Sequence, residues 1–138
     1  MQKSLNIFGT LALPILLGLT VNDLNAEIFN TEYDGLIYNV DTETREATCL
    51  GVSSTPPTGG SLIIPDYIPY EKIDYPVTTI GFAAFRSCAF TSLKIGESVT
   101  TIGSWAFMES PDLIGEIFIP NYVKTIGDLA FRYCSGFT

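Results

Sequence analysis

Apolar positions recur in three nine-residue stretches, VTTIGFAAF from Val77, VTTIGSWAF from Val99 and VKTIGDLAF from Val123, whose starts lie 22 and 24 residues apart. A repeat at that period predicts a solenoid, in which a short unit can bury its apolar faces only against its neighbours. Within a unit the spacing changes character. Leu93-Lys94-Ile95 alternates, so a short strand turns its first and third side chains inward and its middle one outward. A turn ended by Pro or Gly follows, then a second extended piece, Val99 to Ile102, closed by Gly103, where a tight bend of positive φ is expected. Ala106 and Phe107 open a short helical or 3-10 turn running to Ser110. Phe85, Phe107 and Phe131 should stack as a ladder inside the array, with Ala84, Ala106 and Ala130 leaving room for the rings. The expected fold is a β-rich repeat solenoid with short parallel strands and short helical or 3-10 turns.

Upstream the pattern differs. Residues 1–26 read as a secretory signal: Lys3, an uncharged and mostly apolar run from Leu5 to Val21, then Leu24-Asn25-Ala26 before Glu27. An uncleaved anchor is disfavoured, because Pro14 and Gly18 interrupt a run shorter than the ~20 apolar residues a membrane span needs. Residues 27–60 predict a β-hairpin cap and loop, with strands over Gly35–Val40 and Glu46–Leu50, a turn over Asp41–Arg45 and a loop over Gly51–Gly60. Such a lid covers the apolar end that a first coil leaves open. Residues 61–138 hold the repeats, about three coils with the last incomplete. Leu62-Ile63-Ile64 aligns with Leu93-Lys94-Ile95 and Ile117-Phe118-Ile119, and the first coil carries an insertion, roughly Asp66 to Tyr75, rich in Tyr and Pro. With no closing unit in view, the chain reads as the leading fragment of a longer array, the alternative being an exposed last coil.

Charge and composition narrow the chemistry. Without residues 1–26 the chain has six basic against fourteen acidic residues, a balance of −8, which repels nucleic acid. There is no His, so the commonest general base and metal ligand is missing, and Ser-His or Cys-His catalysis within this chain is excluded. The carboxylate pairs Asp41/Glu43 and Asp112/Glu116 fall on turns, which favour Asp for local backbone bonding. Neither phosphate-binding glycine motifs nor a calcium loop occurs, and no cofactor or metal is implied. Cys88 and Cys134 share a repeat position with Ser110 between them. Two sheet spacings put them roughly 10 Å apart, beyond the ~7 Å that a disulfide tolerates. With Cys49 unpartnered, the thiols read as reduced and buried.

The pattern I-P-x-x-V-x-x-I-G-x-x-A-F-x-x-C resembles the BspA-type, or Treponema pallidum-type, leucine-rich repeat. Ile119-Pro120, Val123, Ile126-Gly127, Ala130-Phe131 and Cys134 carry it, as do Val77, Ile80-Gly81, Ala84-Phe85 and Cys88. The resemblance implies a right-handed leucine-rich-repeat solenoid with little helix. It also implies a secreted or cell-surface bacterial protein, adhesin-like, with a protein partner such as host extracellular matrix or another surface protein.

Candidate binding residues follow from the outward positions. Ile63, Lys94 and Phe118 form a column on the strand face, two of its three members apolar; the alternative is that lidding loops cover Ile63 or that Phe118 packs on Tyr122. Tyr67, Tyr70 and Tyr75 in the insertion suit a contact surface, or else a loop folded onto the first coil. The Thr79, Thr101 and Thr125 column reads as a hydrogen-bonded ladder. An exported binding scaffold is the favoured function, and a structural amino-terminal spacer of a larger surface protein the alternative.

Overall fold

A computed structural model of the chain describes residues 27–53 and 59–137. The expected signal segment lies outside them, as does most of the loop before Gly60. Among the described residues nine strands run in order: β1 Ile28–Tyr33, β2 Leu36–Asp41, β3 Glu46–Val52, β4 Ser61–Ile64, β5 Tyr67–Tyr70, β6 Ile73–Ile80, β7 Ser92–Ile95, β8 Thr101–Ile102 and β9 Thr125–Ile126. The larger sheet has the order β1-β2-β3-β6-β8-β9 with β5 hydrogen-bonded to β6, and β4 and β7 form a second, two-stranded sheet.

The amino-terminal part is a three-stranded antiparallel meander rather than one hairpin. Asp34 and Gly35 both adopt positive φ (51° and 76°), the two-residue turn that matches the twist of β1 and β2. Asp41 accepts hydrogen bonds from the N–H groups of Glu43 and Thr44, closing the turn into β3. β3 continues to Val52, past the Gly51 where the loop was expected, and pairs in parallel with β6, Ala47 opposite Val77 and Cys49 opposite Ile80. The insertion is a hairpin too: β5 pairs antiparallel with β6 across Glu71 and Lys72, both at positive φ.

The repeats stack in register. Thr79, Thr101 and Thr125 are direct partners across β6, β8 and β9, as are Ile80, Ile102 and Ile126. The hydroxyls that bond are one residue earlier: Thr100 donates to the Thr78 carbonyl at 3.2 Å and Thr78 to Glu46 at 3.1 Å. Inside, Phe107 stacks on Phe85 at 5.5 Å and 12° and on Phe131 at 5.2 Å and 8°. Val77, Val99, Phe85 and Phe107 are wholly buried. The Cys-Ser-Cys column has a specific task. Ser110 Oγ donates to the Phe85 carbonyl at 3.1 Å, and Cys134 Sγ to the Phe107 carbonyl at 2.9 Å, each one unit back. All three cysteines are free thiols, and burial pushes Cys49 up to about 12.

Three local expectations are corrected. No helix forms among the described residues; the stretch after each glycine is a run of turns. Ala83, Ser87, Trp105, Glu109, Leu129 and Tyr133 all have φ between 51° and 62°, a left-handed conformation that interrupts any right-handed helix. The amides freed by this arrangement bond between units. Ala83, Phe85 and Ser87 donate to the carbonyls of Ser104, Ala106 and Met108 at 2.7–3.0 Å, and Trp105, Phe107 and Glu109 to those of Asp128, Ala130 and Arg132 at 2.8–3.0 Å. Nor does Gly103 need positive φ. A Cβ there would sit 2.8 Å from the Gly81 and Ile80 backbone, and at Gly127 one would sit 2.4 Å from Ser104 N, so the column is glycine because successive backbones touch. The third strand, Ile117–Ile119, is also not formed. The 24-residue spacing inserts two residues ahead of it, and Gly115 turns (φ 87°) to bridge Phe137 instead.

Two stability predictions follow from these contacts. Phe107→Ala should lower the free energy of unfolding in urea by roughly 3–5 kcal/mol, since it removes the middle ring of the ladder. Gly103→Ala should cost about 1–3 kcal/mol in the same assay through backbone displacement, although it adds a better strand and helix former.

Candidate binding surface

The stack has two outward sides, one formed by the strands and one by the turns. On the strand side Ile63 of β4 and Lys94 of β7 are register partners with both side chains exposed, while Leu62, Ile64 and Ile95 beside them are buried. The outward assignment of both residues by alternation therefore matches their placement. Phe118 is 65 % exposed but lies in the unpaired third stretch, outside that two-stranded ladder. Tyr67 is exposed on β5. Tyr70 is not free surface: its ring packs at 4.4 Å on Phe29 and at 6.4 Å on the buried Tyr75. Burial, then the nearby Glu71 and Glu27 carboxylates, push its hydroxyl above the ordinary tyrosine value. Three of these five residues, Ile63, Lys94 and Tyr67, are exposed on regular elements, and the structure does not gather the five into one cluster.

The turn side holds a denser group. Phe82, 68 % exposed, lies at 5.2 Å from the ring of Trp105 in the next unit, and the Arg86 guanidinium sits 5.4 Å above that same indole. Arg86 also reaches Glu109 at 3.0 Å, which accepts a further bond from Ser87. One unit on, Arg132 lies 4.5 Å over Tyr133 and donates to its hydroxyl at 2.7 Å, with Leu129 exposed alongside. The residues beneath are fixed by the inter-unit backbone bonds, so these side chains stand on a rigid support at repeat spacing. Trp, Tyr and Arg are the residue types that concentrate binding energy at protein interfaces. The signal was present in the sequence: these are the variable positions of I-G-x-x-A-F-x-x, which face outward because the fixed ones face in.

Chemically the turn side offers apolar rings and paired charges. Among the described residues no group of three or more Asp, Glu and Cys side chains is placed to hold a metal ion. No described helix is long and apolar enough to cross a membrane.

The comparisons agree with this geometry. The family described as "BspA type Leucine rich repeat region (6 copies)" matches residues 67–138, and the chain belongs to it. Its structure resembles a leucine-rich cell surface protein from Faecalibacterium prausnitzii, at 26 % identity over 81 % of this chain and 30 % of that one, with a TM-score of 0.66. It also resembles a leucine-rich repeat protein from Bacteroides ovatus, at 31 % identity over 80 % of this chain and 28 % of that one, with a TM-score of 0.70. A Bacteroides capillosus leucine-rich repeat protein, 24 % identical over 75 % of this chain and 91 % of its own, shares the fold with a TM-score of 0.58. The chain thus spans under a third of the length of the first two. No curated protein matches.

The Arg86 and Ser87 bonds hold the Glu109 carboxyl below the ordinary glutamate value, Arg86 being the larger influence. A lowered carboxylate adds stability above its unfolded value and loses it as pH falls through the folded one; at this exposed site the effect on global stability is small. By NMR titration, Glu109 should have a midpoint below that of a free glutamate, and Arg86→Ala should bring it back toward that value.

Proposed function

We propose that this chain is an exported, cell-surface binding scaffold: a leucine-rich-repeat solenoid that presents a protein-binding, adhesin-like face. Residues 1–26 act as the signal, residues 27–60 as the lid over the first coil, and residues 61–138 as the binding array. The carrying observation is the turn-side group of Phe82, Trp105 and Arg86, held by Glu109 on a hydrogen-bonded ladder. Family membership and the surface-protein description of the F. prausnitzii relative support the location and the role. A host matrix protein or another surface protein is the kind of partner such a face fits. The strand-side residues Ile63, Lys94, Tyr67 and Phe118 are the second candidate face, and Tyr70 packs on Phe29 and Tyr75. Nothing in the surface favours catalysis.

Capture of the folded protein on immobilised matrix components tests this directly. Trp105→Ser with Phe82→Ser should weaken binding by about 30-fold or more, the loss expected when a ≥2 kcal/mol hot spot is truncated. Lys94→Glu with Phe118→Ser should change it little. The reverse ranking moves the site to the strand side, and wild-type protein that binds no matrix component supports the spacer reading instead.

A further inference from the structure

The apolar group on the turn side continues onto the lid. Leu50 of β3 is exposed, and its Cδ2 lies 3.5 Å from where a Cβ on Gly81 would sit, beside Phe82. Leu50, Phe82 and the half-buried Trp105 thus form a ridge that runs from β3 to the first unit and on to the second. All three belong to the lid and the first two units, with the third unit stacked beyond them. The ridge is preset. Trp105 sits at φ 62°, its N–H donating to the Asp128 carbonyl at 3.0 Å, and Arg86, tied to Glu109, lies against the indole.

We infer that this ridge docks one basic amphipathic helix of a protein partner, an inference that rests on the turn side being the binding face. Backbone bonding selects the helix. The amides of Ala83, Phe85 and Ser87 donate to the second unit and those of Trp105, Phe107 and Glu109 to the third, so none of them is free to pair with an extended peptide. Such a peptide would lay unpaired N–H and C=O groups on the rings. A helix bonds its own backbone internally and presents side chains alone. Spacing agrees. The Phe82 and Trp105 rings are 5.2 Å apart, close to the rise of about 5.4 Å per helical turn and shorter than the roughly 6.8 Å between same-face residues of a strand. Side chains at i, i+3, i+4 and i+7 of an apolar stripe therefore meet the ridge at matching intervals. Charge sets the polar face of the partner. From Glu27 onward the chain has six basic against fourteen acidic residues, a field that attracts cations, and Glu109 neutralises Arg86 within the patch. A glycan fits less well, because Phe82 and Arg86 already lie against the indole on which a sugar ring would stack.

Trp105 is the chain's single tryptophan, so its emission reports on the ridge itself. The probe is a tryptophan-free lysine–leucine peptide of about 18 residues, its leucines at i, i+3, i+4 and i+7. Titrated into the full wild-type chain, it should shift Trp105 emission to the blue and saturate, a readout independent of how any variant folds. A peptide of the same composition with leucine and lysine alternating, and the helical peptide with glutamate for lysine, should each bind about tenfold more weakly or worse. Leu50→Ser should weaken the helical peptide by about tenfold or more, while Ile28→Ser, exposed on β1, leaves it unchanged. Emission that does not move, equal binding of the alternating or acidic peptide, or a shift produced only by a neutral oligosaccharide overturns the inference. Matrix capture separates the two levels. Capture lost in Trp105→Ser with Phe82→Ser, together with no peptide response, removes the helix and keeps the binding face; capture that depends on the strand side removes both.

Discussion

Every level of this structure depends on backbone hydrogen bonds that run between units rather than within them. On the strand side Gly81, Gly103 and Gly127 donate to carbonyls of the strand before, Cys49, Ile80 and Ile102, at 2.7–2.8 Å. On the turn side alternate amides of one unit reach carbonyls of the next at similar distance. The two sides close only if successive backbones touch, which is why a Cβ at Gly103 or Gly127 finds no room. Once they touch, the Phe rings are brought to stacking distance, and Ser110 or Cys134 can reach back to the preceding Phe carbonyl. Burial then follows from bonding geometry and sequence together.

What the sequence revealed and what it concealed divide along the same line. Columns were legible because side chains that touch their own equivalents must be alike. Phe85/Phe107/Phe131 could be placed inward, and Ile63 and Lys94 outward, from the sequence alone. The turns were misread because Ala-Phe-x-x is good helix sequence locally; the left-handed residues Ala83, Trp105 and Leu129 are ordinary L-amino acids with no special propensity for that conformation. Neighbouring units impose it, and local sequence does not record it. The Glu71-Lys72 turn hid for the same reason, having neither Asn nor Gly to announce it. Asp34-Gly35 is a pair that favours such a turn, and β1 before it, absent from the expected hairpin, pairs with β2 across it.

The outward surfaces were legible in part. Reading outward positions from strand alternation found Ile63 and Lys94 but gave no reason to look at the turns, whose geometry was taken as helical. With the turns extended along the stack, variable residues such as Phe82, Trp105 and Tyr133 become a surface. A helix would have spread the same residues around its axis. A rigid support also limits the entropy lost when such side chains are engaged.

Amide hydrogen exchange on dilute, monomeric protein tests the inter-unit ladder most directly. Ala83, Phe85, Ser87, Trp105, Phe107 and Glu109 should exchange slowly, although they lie in turns and only Phe85 and Phe107 are buried. In a protein that consists of residues 27–138, Leu129, Phe131 and Tyr133, in the same local sequence but without a further unit among the described residues to accept their bonds, should exchange fast. Uniformly fast exchange across all nine amides would contradict the account.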